Sequence, residues 1–118
     1  MNKSGKTICL WIDDLRNPPD RPDTEYLIAR SVNEAKALLD LAENKAWTQP
    51  IDYISIDHDA GIYVAAGGDF INVLNFLEYR QHIHGGKVYP IEIHSMNAVG
   101  CTNMKAICEK NNWTIISN

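Results

Sequence analysis

The chain alternates short, almost wholly apolar runs with amphipathic stretches of helical period, and few architectures accept that pattern. Five runs read as strands: Thr7 to Ile12, Tyr26 to Arg30, Ile51 to Ile56, Val88 to Ile93 and Trp113 to Ser117. The first, third and fourth are near-continuously hydrophobic, which suits strands buried on both faces of a parallel sheet. Between the runs lie three helical patterns. Ser31 and Glu34 form a capping box, and Val32, Ala35, Leu38, Leu39 and Ala42 follow on one face. The second pattern runs from Asp69, read as its N-cap, through Phe70, Val73, Leu74 and Leu77 to His84, where Gly85-Gly86 ends it. The third begins just after "HSMNAVG", puts Cys101, Met104, Ile107 and Cys108 on one face, and stops near Asn111-Asn112.

Strand and helix in alternation predict a three-layer α/β fold around a mostly parallel five-stranded sheet, with strand order 2-1-3-4-5. The stretch "LRNPPDRPDTE", residues 15–25, is too rich in Pro and Asp for a helix between the first two strands, so the direction of strand 2 is open. A length of 118 residues with 45% hydrophobic content fits a single domain, 1–118. The balance of 11 Lys plus Arg against 15 Asp plus Glu excludes an extended nucleic-acid groove, which needs many basic phosphate contacts. It leaves room for a small phosphorylated ligand or one RNA terminus. Cys9, Cys101 and Cys108 are odd in number, form no C-x-x-C and sit in apolar contexts, so they read as free thiols in a reducing compartment, the cytoplasm. The first apolar run, Ile8 to Ile12, is too short for a signal peptide core or a membrane span. Nothing in the pattern speaks to an oligomeric state.

In such sheets the ligand crevice lies beyond the carboxyl ends of the strands, where strand order reverses. Strand 1 ends in Asp13-Asp14, strand 3 in Asp57-His58-Asp59, and strand 4 in His94-Ser95 followed by Asn97. Clustered carboxylates suit a hard cation such as Mg²⁺, or Mn²⁺, and Asp13, Asp14 and Asp57 are the best ligands by that logic. His58 and His94, on neighbouring strand ends, can divide the acid and base roles of phosphodiester hydrolysis, with Asp57 and Asp59 beside them. The start of the third helix, with Ser95 and Asn97, can hold a phosphate, and Arg16 and Lys105 are the nearest basic side chains in sequence. His82 and His84 are two apart on a helix and do not share a face, so they read as structural.

The motifs "IDDLRNPP" at 12–19, "RSVNEA" at 30–35, "ISIDHDAG" at 54–61 and "IHSMNAVGCTNM" at 93–104 together resemble the cyclic-phosphate-processing receiver-like family, related to the receiver domains of two-component signalling. Asp13, Asp14, Arg16, Asp57, His58, Asp59, His94, Ser95, Asn97, Gly100, Asn103 and Met104 match the family pattern; Ala60 and Ala98 stand where Leu and Pro are usual. The resemblance implies a receiver-like, flavodoxin-like domain and cyclic phosphates, such as 2′,3′-cyclic RNA ends, as substrates. Receiver domains use an acidic pair after strand 1 for Mg²⁺, an Asp ending strand 3 as phosphoacceptor and a Lys after strand 5. The first two have counterparts in Asp13-Asp14 and Asp57, and no Lys occurs in residues 113–118. The expectation is a metal-dependent phosphoesterase opening cyclic phosphates. The alternatives are a receiver-like module that binds metal and phosphate without turnover, and a structural adaptor.

Overall fold

The computed structural model describes residues 5–44 and 50–116. Its five strands are β1 (Thr7–Ile12), β2 (Thr24–Ala29), β3 (Tyr53–Ile56), β4 (Ile91–Ile93) and β5 (Ile115–Ile116), and its helices α1 (Val32–Ala42), α2 (Ile71–His84) and α3 (Ala98–Lys110). The sheet has the order β2-β1-β3-β4-β5, and all four pairings are parallel. Strand 2 therefore runs with its neighbours although no helix joins it to β1. The long 13–23 connection reverses the chain in its place.

The three helices share one face of the sheet. Each joins strands that step the same way across it, and right-handed crossovers then put α1, α2 and α3 on one side. The core agrees: Leu10, Ile12, Ala29, Ile54, Ile56 and Ile91, alternate residues of four strands, cluster with Leu39, Leu74 and Met104 of the helices. On the opposite face the third layer is the 13–23 connection, not a helix. Its Arg16 carbonyl accepts from Trp11 Nε1 (2.9 Å), and Arg21 Nη1 donates to the Tyr53 hydroxyl (3.3 Å).

Several boundaries move for local reasons. β4 starts at Ile91 because Pro90 has no N–H for the ladder, and β5 starts at Ile115 because Trp113 closes α3 by donating from its backbone N–H to the Cys108 carbonyl. Ser117, expected in strand 5, lies outside the described residues. Asp69 does not cap α2. Phe70 takes the N-cap position without a side-chain bond, while Asp69 Oδ1 accepts from Ala60 N (3.0 Å) and closes the β3–α2 loop. α3 starts earlier than expected, at Ala98, because Asn97 is its N-cap and accepts from Gly100 N (2.8 Å).

Candidate functional site

Asp13, Asp57 and His94 each follow the last residue of a strand, and their backbone N–H groups still donate across the sheet, to Ala29, Ile12 and Ile56 respectively. The ladder thus fixes all three at one edge. Each stands two residues after Trp11, Ser55 and Glu92, which are register partners in β1, β3 and β4, so both rows project from the face away from the helices.

Asp13 is almost fully enclosed (1% exposed) and fully used. Its Oδ1 accepts from the N–H groups of Leu15 (3.0 Å) and Arg16 (2.9 Å), and its Oδ2 from Arg16 Nε (3.0 Å) and His94 Nε2 (3.0 Å). Burial pushes its carboxyl up, but these donors and the Arg16 charge outweigh burial and hold it below the usual carboxylate range. Arg16 also reaches Asp57 Oδ2 (3.4 Å) and the His94 carbonyl (3.1 Å), so one guanidinium ties β1, β3 and β4 together. Arg30 holds the base of this loop by donating to the carbonyls of Asp13 and Arg16.

Asp13, Asp14 and Asp57 present carboxylate oxygens within 4.8 Å of one another, an all-oxygen set that fits a hard divalent cation. Burial and then the Asp13 charge hold the Asp14 carboxyl above its ordinary value. With Asp13 saturated by donors, Asp14 and Asp57 are the freer ligands. Gly61, at φ +56°, lies against Asp14, and a side chain there would strike its carboxylate.

The two histidines occupy different environments. The His94 side chain is largely enclosed (9% exposed) and stacked on Trp11 (centroids 4.0 Å apart, 4° between planes), with Nε2 on Asp13 and Nδ1 2.8 Å from Ser55 Oγ. Burial, opposed by Asp13, holds its pKa below the ordinary imidazole value. His58 has only one nitrogen engaged: Nδ1 lies 2.7 Å from Asp59 Oδ1, and Nε2 has no partner among the described residues. The His58 contact holds the Asp59 carboxyl low, helped by Asn97 Nδ2, which donates to the same oxygen (3.2 Å). Gly100 packs on the His58 ring, where any side chain would collide. His58, Asp59 and Asp69 also come within 4.8 Å as a second group of metal-ligand type.

Ser95 and Asn97 stand at the start of α3, with part of their capacity used locally: Ser95 Oγ accepts from Asn97 N (3.0 Å), and Asn97 Oδ1 caps the helix. Lys105 is exposed and about 12 Å further along α3, so the structure does not bring it to the crevice. Sequence reasoning passed over Trp11, Ser55 and Glu92. The available signal was a polar residue in the middle of each of two apolar strands, "YISI" and "IEI".

A parallel 2-1-3-4-5 sheet with paired acids after β1 and a further Asp ending β3 defines a receiver-like domain. The chain belongs to the cyclic-phosphate processing receiver domain family, whose profile matches residues 8–110. No curated protein and no solved structure matches the chain. No helix among the described residues is long and apolar enough to cross a membrane.

The site has a consequence for acid stability. The folded-state pKa of His94 is lowered, so the contribution of its neutral form is present above about pH 6.5 and declines as pH falls below it. The lowered Asp13 adds a term that is present above about pH 4 and is lost as pH falls through its folded pKa. Melting temperature should therefore fall in two stages between pH 7 and 3. In Asp13→Asn the second stage should be shallower and the protein less stable at pH 7; an unchanged acid limb would place that dependence elsewhere.

Proposed function

We propose that this domain is a divalent-metal-dependent phosphoesterase that opens cyclic phosphodiesters, taking a small cyclic nucleotide or the 2′,3′-cyclic end of an RNA in a reducing, cytoplasmic setting. The observation that carries the reading is the His58–Asp59 pair beside the acidic cluster. Its Nδ1 is held by a carboxylate and its Nε2 is unengaged, the arrangement of a histidine that moves protons.

Ring opening requires water to attack phosphorus, the bond from phosphorus to one ester oxygen to break, and a proton to pass from the water to the departing alkoxide. His58 Nε2 can accept that proton from water and return it to the leaving oxygen, while Asp59 stabilises the charged ring. Arg16 has outward-facing capacity beyond its bonds to Asp13 and Asp57 and neutralises phosphate charge. The N–H groups of Ala98 and Val99, in the open first turn of α3, with Ser95 and Asn97, add donors for a second phosphate oxygen. Asp14 and Asp57, with Asp13 behind them, would hold Mg²⁺ or Mn²⁺, which supplies positive charge to the phosphoryl oxygens. His94, with both nitrogens occupied, orients Asp13 in this scheme and leaves proton transfer to His58.

The second reading, a receiver-like switch, is favoured by Asp57 itself, which stands at the carboxyl end of β3 where receivers carry their phosphoacceptor. Purified protein assayed against 2′,3′-cyclic nucleotides, 3′,5′-cyclic nucleotides and cyclic-phosphate RNA, with Mg²⁺, Mn²⁺ or chelator, tests the first reading. Metal-dependent opening of at least one class is expected. No turnover, with a stable acyl phosphate on Asp57 from a small phosphodonor, would transfer the conclusion to the switch.

A further inference from the structure

His94 does not meet the crevice directly; it is the middle of a chain of side chains that starts inside the sheet. Glu92 is 4% exposed and Ser55 fully buried, both in mid-strand on the face away from the helices, where an apolar pair would fit at lower desolvation cost. They are register partners, and the Ser55 Oγ lies 2.6 Å from Glu92 Oε1 and 2.8 Å from His94 Nδ1. The far side of the ring gives Nε2 to Asp13 Oδ2 (3.0 Å), and that same oxygen takes Arg16 Nε (3.0 Å). β3 separates His94 of β4 from Trp11 of β1, and only a side chain as small as Ser55 lets the imidazole cross above it, stack on Trp11 and reach Asp13.

We infer that Ser55 and Glu92 are positioning residues for the site: they fix the rotation of the His94 ring, and through Asp13 they set the direction of the Arg16 guanidinium that meets phosphate. The role of Arg16 rests on the hydrolase reading; the chain from Glu92 to Asp13 does not. A ring held at both nitrogens cannot turn about its Cβ–Cγ bond. Released at Nδ1, it can, and Asp13 then loses one of the two donors on Oδ2. Outer partners of this kind typically change site affinity or activity by roughly 10- to 100-fold. Because the effect passes to a binding group, it should appear in KM and in phosphate affinity, with kcat less altered.

The test is nuclear magnetic resonance of ¹⁵N-labelled protein at neutral pH, joined to titration with inorganic phosphate in the presence of Mg²⁺. The native protein should show a protected His94 Nε2–H resonance and a resolved Arg16 Nε–H resonance. Ser55→Ala and Glu92→Leu should broaden or lose both and weaken phosphate binding by roughly 10-fold or more. Glu92→Gln, whose amide can still hydrogen-bond the Ser55 hydroxyl, should retain them. If Ser55→Ala fails to fold, Glu92→Leu and the native spectrum carry the decision. A solvent-exchanging Nε2–H in the native protein would overturn the inference. So would native resonances and phosphate affinity in a folded Ser55→Ala or Glu92→Leu variant, even with a lower melting temperature. Absence of turnover on every cyclic phosphate would sink the hydrolase reading alone, since the resonances report the chain without any reaction.

Discussion

Replacing His58 with Ala should lower the rate of cyclic-phosphate opening by roughly 10²- to 10⁴-fold, the usual contribution of a positioned proton-transfer group. The fold should survive, because the half-buried His58 side chain bonds to the exposed Asp59 and neighbours Asn97 and Gly100 at the surface, while the backbone carbonyl that accepts from Phe70 N remains. The bell-shaped pH–rate profile expected of the native protein should lose a limb in the variant. Asp59→Asn should act in the same direction with a smaller loss, since it removes the orienting charge and leaves the imidazole. His94→Ala should behave differently. It empties a buried space against Trp11 and strips Asp13 of a donor, so stability and phosphate affinity should fall together. Equal kcat in His58→Ala and native protein, with hydrolysis otherwise confirmed, would remove His58 from the proton path. A stable acyl phosphate on Asp57 with no hydrolysis would point to the switch.

That His58 and His94 differ could not be read from the sequence. Both follow strand-like apolar runs, and each is flanked by residues that can orient an imidazole. What separates them is which face of the sheet each side chain joins and whether its second nitrogen is covered. These depend on Trp11 and Ser55 in other strands, and no local pattern encodes that contact. The sheet was more legible, because long apolar runs at regular spacing leave few alternatives to parallel strands joined by helices. Its order follows from the same alternation and the size of the domain. The sharing of one face by all three helices was not foreseen, although it follows from losing the helix between β1 and β2 while every other crossover keeps its hand. Asp69 shows the opposite failure. An Asp before an apolar helical stripe has the form of an N-cap, yet the β3–α2 loop competes for its carboxylate and takes it.

Addition of Mg²⁺ should raise the melting temperature by about 10 °C once the ion is at one hundred times its dissociation constant. Binding to the folded state alone is worth roughly 2.7 kcal/mol at that ratio, and a domain of this size gains about 4 °C per kcal/mol. The carboxylates explain why the effect should be large. Burial and then the charges of Asp13 and Asp57 raise the Asp14 pKa, so its folded-state pKa lies above the unfolded one. For an acid shifted in that direction, stability is greater at low pH and lost as pH rises, and at neutral pH the ionised Asp14 works against folding. A cation reverses that penalty, and so does removal of the charge. Asp14→Asn without metal should therefore melt at or above the native temperature, while losing most of the Mg²⁺ response; adding Asp57→Asn should abolish what is left. Asp13→Asn separates the roles further. Asp13 already accepts four hydrogen bonds, two of them from Arg16, so its loss should lower stability with or without Mg²⁺ instead of merely silencing the ion. If Asp14→Asn destabilises the metal-free protein and still responds fully to Mg²⁺, the ion binds elsewhere, and the group formed by His58, Asp59 and Asp69 becomes the place to look.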